Sequence, residues 1–369
     1  MGLVGKLRLT YANAVRARAQ SGRPLRAQAL EMLRLGLGAA RLGPGDYYSY
    51  RLFEPGLSLA QKREFVGWRR ERLLDALNQP TWHCLGLDKV LMTELMSAQG
   101  LPCTETRAVY LRGRERRLQH AQALRTPNEL AGWLREPAHY PFFAKPAASG
   151  FGRGAVYALG YEPASDSVRL RNGELLPLQH FEAPALDREQ LGYLFQTPLR
   201  TDPRLQVALG ELPTSLRVMV LLDGQQGPLI HRCFWKLPVG ANMHDNFNDG
   251  VTGNLAAGVD LRSGRVLRAI NGSGLRLREV EQHPDSGARL SDLRVPDWAR
   301  VQATVTALAL LFPRLGFQQW DIALTDQGPV GMELNLFGTG GCELSQLIER
   351  RGLLDATLRG FLRRQGLLR

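Results

Sequence analysis

Lysine is nearly missing from this chain. Of 47 basic residues only Lys6, Lys62, Lys89, Lys145 and Lys236 are lysines, so arginine is the default cation and each lysine is the more informative for being rare. Cysteine is as sparse. Cys84, Cys103, Cys233 and Cys342 stand far apart with no CxxC pair, which argues against a disulfide framework or a zinc site and points to a reducing, cytoplasmic setting. No apolar run approaches the roughly 18–20 residues that a membrane-spanning helix needs. The N-terminus has no compact apolar core ending in a cleavage site, so no signal peptide is expected. The usual Ser/His and Cys/His arrangements are also wanting, which leaves no evident nucleophile for covalent catalysis.

What is present suits a folded protein of more than one average domain. The 369 residues are 44% hydrophobic and 22% charged, enough to bury a large core. A net charge of +12 could draw nucleic acid, anionic lipid or an acidic substrate. The arginines are spread along the chain and the aromatics sit at apolar-periodic positions, so a nucleic-acid partner is not expected.

Residues 1–85 read as a basic, mostly helical region. Helices over Ala12–Ala19 and Leu25–Arg41 end at Gly43-Pro44-Gly45. They suit either a membrane surface or partner, or a solvated face packed on the body. Asp46-Tyr47-Tyr48-Ser49-Tyr50 reads as a docking seam between segments. The apolar spacing predicts one long helix over Leu59–Leu77, then a helix from Lys89 with Asp88 as N-cap. Thr126 caps another helix, and a further one is expected near Asp187–Gly192. Strands are expected at Ala108–Leu111, Leu191–Pro198, Thr214–Leu222 and Ile230–Lys236. Hairpins are expected through Arg171–Glu174 and Arg262–Gly264. A buried strand carrying Arg217 must supply it with a carboxylate or a phosphate. Asn242–Gly253 is a polar loop too long for a simple turn. Pro296–Phe312 reads as an apolar helix, and Leu344–Leu368 as one basic amphipathic helix.

Two stretches carry chemistry. In Tyr140–Tyr157, a strand ending at Lys145 runs into the small-residue loop Ala147–Gly154 and out through a second strand; such a loop lets backbone N–H groups approach phosphate oxygens. The context fits neither GxxxxGK[ST] nor strand–GxGxxG–helix. In Gly316–Gly341, two short apolar runs flank Thr325-Asp326-Gln327-Gly328, a hairpin signal. Asp321 lies in the first strand. Glu333 and Asn335, two apart in the second, share a face. Three hard oxygen donors on paired strands suit Mg²⁺.

GDYYSY, LDK, FFAKPAASGFGRGA, TSLRVMVL, HDNFNDGVTGNLAAGVDLRSGRV and WDIALTDQGPVGMELN together give Asp46–Gln346 a resemblance to the ATP-grasp superfamily, and within it to the sugar-transfer-associated branch related to alpha-L-glutamate ligases. The resemblance implies an α+β fold in which two α+β lobes sandwich ATP, with the basic helical N-terminus as an extension. The ATP-grasp domain would run over 86–369, with a small lobe at about 140–195, a C-terminal lobe at about 196–346 and a terminal helix at 347–369. It implies ATP with one or two Mg²⁺ ions as cofactors, the metal held by Asp321, Glu333 and Asn335. Lys145 would meet the α- and β-phosphates, and Ser149, Gly150, Gly152 and Gly154 would close over the triphosphate. Phe195–Leu199 would meet adenine, with Gln196 on its amine. Lys236 joins the nucleotide-binding set, and Arg217 would neutralise the transferring phosphoryl group. His244, Asp245 and Asn246 are candidates to orient an acceptor: a small molecule, peptide or glycan. Two departures stand. No lysine occurs between Val90 and Ala144, where many relatives have a second phosphate-binding one; Lys89, Arg107 or another arginine is left to substitute. Gln196 stands where a glutamate is common.

The activity implied is carboxylate–amine (or carboxylate–thiol) ligation through an acyl-phosphate, in surface polysaccharide or glycoconjugate biosynthesis. A kinase acting on a small molecule or peptide, an ATP-binding regulator without activity, and a basic binding protein are the alternatives.

Overall fold

A computed structural model describes residues 2–37, 41–67, 73–114, 116–148, 154–182, 192–224, 226–240, 242–336 and 341–368. Its described residues form two seven-stranded sheets. The first comprises β1 (Thr106–Tyr110), β2 (Gln122–Leu124), β3 (Phe142–Pro146), β4 (Val156–Glu162), β5 (Ser167–Leu170), β6 (Leu175–Pro177) and β7 (Tyr193–Gln196), in the order β2-β1-β7-β3-β4-β5-β6. The second comprises β8 (Ser215–Asp223), β9 (Gly227–Leu237), β10 (Leu255–Val259), β11 (Val266–Asn271), β12 (Arg278–Glu279), β13 (Phe317–Thr325) and β14 (Gly328–Asn335), in the order β12-β11-β10-β9-β8-β13-β14.

Each sheet has one face committed to a core. In the first, Phe142, Ala144, Tyr193 and Phe195 pack with Leu130, Trp133 and Leu134 of the helix Pro127–Arg135, each large side chain contributing roughly 1.5–3 kcal/mol by leaving water. Alternation along β3 and β7 then turns Phe143, Lys145, Leu194 and Gln196 to the opposite face. In the second sheet Leu216, Val218, Trp235, Trp320 and Ile322 pack against the helix Trp298–Leu310. The other face is divided along its length. Met219, Leu221, Phe234 and Phe317 lie under the C-terminal helices, while Arg217, Asp321 and Glu333 stand side by side further along.

The expected hairpins and most strands appear at their places, and both expected caps form. The Asp88 carboxylate accepts from Val90 and Leu91 N–H, and Thr126 caps its helix in a capping box with Glu129. Two expectations are corrected. Leu59–Leu77 is not one helix, since helix stops at Lys62. Past it, Val66 N–H and C=O both bond the Gln346 side chain, and Leu354 N–H donates to Glu64 C=O. Tertiary partners have taken the groups a helix would use. Leu344–Leu368 is likewise two helices, Gly341–Glu349 and Ala356–Arg364. Arg350 at φ 50° breaks the run, and Asp355 caps the second helix on Leu358 N–H. The expected helix near 187–192 falls largely outside the described residues.

Gln346 is fully buried and also donates to Tyr50 Oη and accepts from Leu353 N–H, so one side chain joins the aromatic segment, Val66 and the C-terminal helices. The aromatic segment is such a seam. Tyr47 Oη–H donates to Glu31, Tyr48 to Gln28 and Tyr50 to Val66 C=O, and their rings share a core with Phe53 and Phe65.

Candidate active site

The free faces of the two sheets meet across a cleft. Phe143, Lys145, Tyr157 and Gln196 line it from the first sheet, and Lys236, Asp321, Met332 and Glu333 from the second. Thr197–Leu199, Leu212 and Pro213 form one end, Met243–Asn246 form a wall, and Lys89 enters from the start of its helix.

Register builds the polar row. Arg217 on β8 lies opposite Asp321 on β13, which lies opposite Glu333 on β14. Gln319 is opposite Asn335, so the expected shared face of Glu333 and Asn335 holds. One extra residue, Met332, is accommodated in a bulge between Glu333 and Gly331, and it brings a thioether into the cleft. Asp321 is buried and held by Arg217 through two hydrogen bonds and by Lys236 at 3.2 Å. Burial acts to raise its carboxyl, yet Arg217 and Lys236 outweigh this and hold it at about 2. Of the two partners left open for the strand arginine, the structure supplies the carboxylate. Glu333 meets Lys89 Nζ at 3.2 Å.

Lys145 sits in the same field. Burial brings its ammonium down to about 8, Glu333 opposing and Lys89 assisting. Four cations, Lys89, Lys145, Lys236 and Arg217, therefore confront Asp321, Glu333 and Asp245. Burial raises the Asp245 carboxyl against the pull of Lys236 and the Ser215 hydroxyl, 2.5 Å away. The balance leaves positive charge for a polyanion. Among the residues proposed to replace a second lysine, Lys89 reaches the cleft. Arg107 instead donates to Thr197 Oγ1 and to the carbonyls of His139 and Pro141.

At the other end Gln196 is buried, its amide N–H₂ donating to Thr104 (2.8 Å) and Thr106 (3.2 Å). Thr197 N–H is bonded to Glu105 C=O. Tyr193 Oη–H donates to Gly154 C=O, which ties the exit of the glycine loop to β7. Gly154 takes φ 72°, a conformation that costs a side chain dearly. Ser149, Gly150 and Gly152 lie outside the described residues.

The long polar loop is pinned. Fully buried Asn254 donates to His244 and Asn246 C=O and accepts from Val239 N–H and the Asn242 amide. Asn271 Nδ2 in turn donates to Asn254 C=O at 3.0 Å. His244 and Asn246 thereby line the cleft, and His244 Nδ1 is buried without a hydrogen-bond partner. Sequence reasoning missed Ser215 and Asn254. Ser215 is two before Arg217 on one strand, so period-2 reading could have found it. Nothing local distinguishes Asn254 from its neighbours.

The donor set fits a hard divalent cation and a polyphosphate. Asp321 and Glu333 are oxygen donors in cross-strand register, and Asn335, on the same face of β14, carries a third oxygen in its side-chain amide. Among the described residues no cluster of three His, Cys, Asp or Glu side chains could hold a metal; Asn335 is needed to complete the set.

A sequence model described as "Sugar-transfer associated ATP-grasp" matches residues 68–359. No curated protein matches the chain. Among solved structures, it resembles the biotin carboxylase domain of Hydrogenobacter thermophilus 2-oxoglutarate carboxylase with MgADP (13% identity, 80% of this chain, 49% of that chain, TM-score 0.40). It also resembles Campylobacter jejuni biotin carboxylase (12%, 79%, 50%, TM-score 0.44) and an L-amino acid ligase from Bacillus licheniformis (12%, 85%, 52%, TM-score 0.37). The chain spans about half the length of these three structures.

Proposed function

Since the chain belongs to the sugar-transfer associated ATP-grasp family, we propose that it is an ATP- and Mg²⁺-dependent ligase. A substrate carboxylate oxygen attacks the γ-phosphorus, the bond to the β-phosphate oxygen breaks, and ADP leaves. An amine (or thiol) then attacks the acyl carbon of the acyl-phosphate, loses its proton, and expels inorganic phosphate. The observation that carries this reading is the meeting of Lys145 with the row Arg217, Asp321, Glu333 across one cleft.

Phosphoryl transfer asks chiefly for positioning and neutralised charge. Asp321, Glu333 and Asn335 would hold Mg²⁺, which when bound neutralises phosphate charge. Lys145, Lys89 and Lys236 supply fixed positive charge for the polyphosphate. Arg217, its guanidinium aimed by Asp321, would offset charge on the transferring group. Gln196–Leu199 would receive the base, the Gln196 amide, fixed by two threonines, setting its polar edge. The Phe195 side chain, expected there as well, is instead turned by strand alternation into the core on the opposite face. His244 and Asn246, held on the loop, would orient the acceptor. The family description supports an acceptor tied to sugar transfer: a carboxylate on a glycan, peptide or small molecule used in surface polysaccharide or glycoconjugate assembly in the cytoplasm.

The test is to track label. Protein, Mg²⁺ and γ-labelled ATP are incubated with fractionated metabolites, peptides and glycans. Label released as inorganic phosphate only with a particular fraction, and not with Glu333→Gln, is expected. Label retained in an organic product would make the protein a kinase and overturn the ligase reading.

A further inference from the structure

The first two helices, α1 (Leu3–Ser21) and α2 (Leu25–Leu37), precede the segment that matches the family and take no part in the cleft. Their surface is unlike the rest of the molecule. Among the described residues seventeen large apolar side chains are exposed, and eight of them lie within the first 37 positions. On α2 the exposed ones are Leu30, Leu33 and Leu37, the last 81% exposed. At about 100° per residue they fall within roughly 60° of arc. The buried Gln28, Glu31 and Leu35 occupy the opposite side. So α2 has one edge buried against the body, largely through polar contacts of Gln28 and Glu31, and an apolar edge facing directly away from it. On α1, Val4, Leu7, Tyr11 and Val15 form a stripe of about 80°, while among its described side chains only Ala14 and Ala17 are buried.

Charge selects the occupant. Residues 1–45 contain eight cations and one acid, and that acid is withdrawn: Glu31 accepts from Tyr47, pairs with Lys62 at 2.8 Å and with Arg23 at 3.1 Å. Lys6, Arg8, Arg16, Arg18, Arg26 and Arg34 are all exposed. Apolar stripes flanked by uncompensated arginine match the chemistry of an anionic bilayer surface, where acyl chains receive the leucines and headgroup phosphates the cations. Among the described residues no helix is long and apolar enough to cross a membrane, so contact is from the surface. We propose that α1 and α2 form a docking face for an anionic lipid membrane, which would bring the cleft to membrane-borne acceptors.

The test is vesicle flotation of the full chain. Vesicles of phosphatidylcholine with about 30% phosphatidylglycerol are compared with pure phosphatidylcholine, at about 0.1 M and 0.5 M salt. Expected is flotation with the anionic vesicles alone, reduced about tenfold at the higher salt and abolished in Leu33→Glu/Leu37→Glu. Arg26→Glu/Arg34→Glu should lose most binding and keep the wild-type melting temperature. These residues lie outside the cleft, so ATP binding should be unchanged in both variants; failure of ATP binding in every protein would count against the enzymatic reading instead. Absence of flotation, equal flotation with both vesicle types, or undiminished flotation of the glutamate variants would overturn the proposal. So would sedimentation as a dimer that Leu33→Glu/Leu37→Glu dissociates, which would make this face a contact between copies.

Discussion

At the residue scale, the cleft sets opposed charges against burial, with different outcomes at Asp321 and Lys145. Asp321 stays ionised because Arg217 and Lys236 offset its burial, whereas burial brings the Lys145 ammonium down to about 8. A lysine with a lowered pKa is cationic below that value and neutral above it, so ATP affinity should fall as pH rises through about 8. Lys145→Arg should flatten that decline, measured by nucleotide titration between pH 7 and 9.5. Glu333→Gln tests the metal assignment. Glu333 is only partly buried and contributes little packing, so the melting temperature should hold while Mg²⁺-dependent turnover is lost. Retained turnover would remove Glu333 from the metal site.

At the element scale, loops and edges are fixed by single buried amides. Asn254 organises the loop carrying His244 and Asn246 through four hydrogen bonds. Asn254→Ala would strand those groups in a buried setting at about 1–3 kcal/mol each before relaxation. The expected outcome is acceptor-dependent turnover reduced at least about tenfold, since roughly 1.4 kcal/mol of misplacement suffices, with ATP binding near wild type. Equal loss of both would mean that the loop serves stability alone. Gly250 in the same loop takes φ 74°, and a Cβ there would meet the backbone of Gly272, so Gly250→Ala should unsettle the loop as well. None of this was legible from the residues. An Asn/Asp/Gly-rich stretch reads as surface loop because its pinning partners, Asn254 and Asn271, are specified only by where β10 and β11 bring them.

For the whole molecule, the N-terminal region, the second sheet and the C-terminal helices are joined through buried polar links. Gln346 ties Tyr50, Val66 and Leu353 together, and Gln346→Ala should lower stability by about 2–4 kcal/mol, read as a drop in unfolding midpoint. His231 lies under the turn before the last helix, 3.2 Å from Leu353 C=O. Burial and the neighbouring Arg232 lower its pKa to about 4, with Asp355 opposing. A histidine depressed in the folded state stabilises fully above its unfolded value, near 6.5, and loses that contribution as pH falls through the folded value. His231→Gln should therefore lose less stability than wild type between pH 6.5 and 4. Its unfolding curves across that range check the sign, and an unchanged slope would show that other groups govern the acid limb.

The sequence by itself determined whatever rests on neighbours along the chain. Period-2 spacing put Glu333 and Asn335 on one face, turn chemistry placed the hairpin at Thr325–Gly328, and Asp88 and Thr126 announced their helices. Those local rules, with the motif resemblance, sufficed for the family. Tertiary structure decided where local rules compete with distant partners. The 3.6-residue spacing over Leu59–Leu77 was outbid by Gln346, and the C-terminal run was split at Arg350–Asp355. Which cation fills the place of the absent lysine was likewise a matter of register and helix placement: Lys89 reaches Glu333 only because its helix begins beside the end of β3, while Arg107, on β1, is spent on Thr197. Hydrogen bonds and ion pairs between residues tens to hundreds of positions apart leave no periodicity to read, and that is why the partners of Arg217, Gln196 and His244 became known only in the fold.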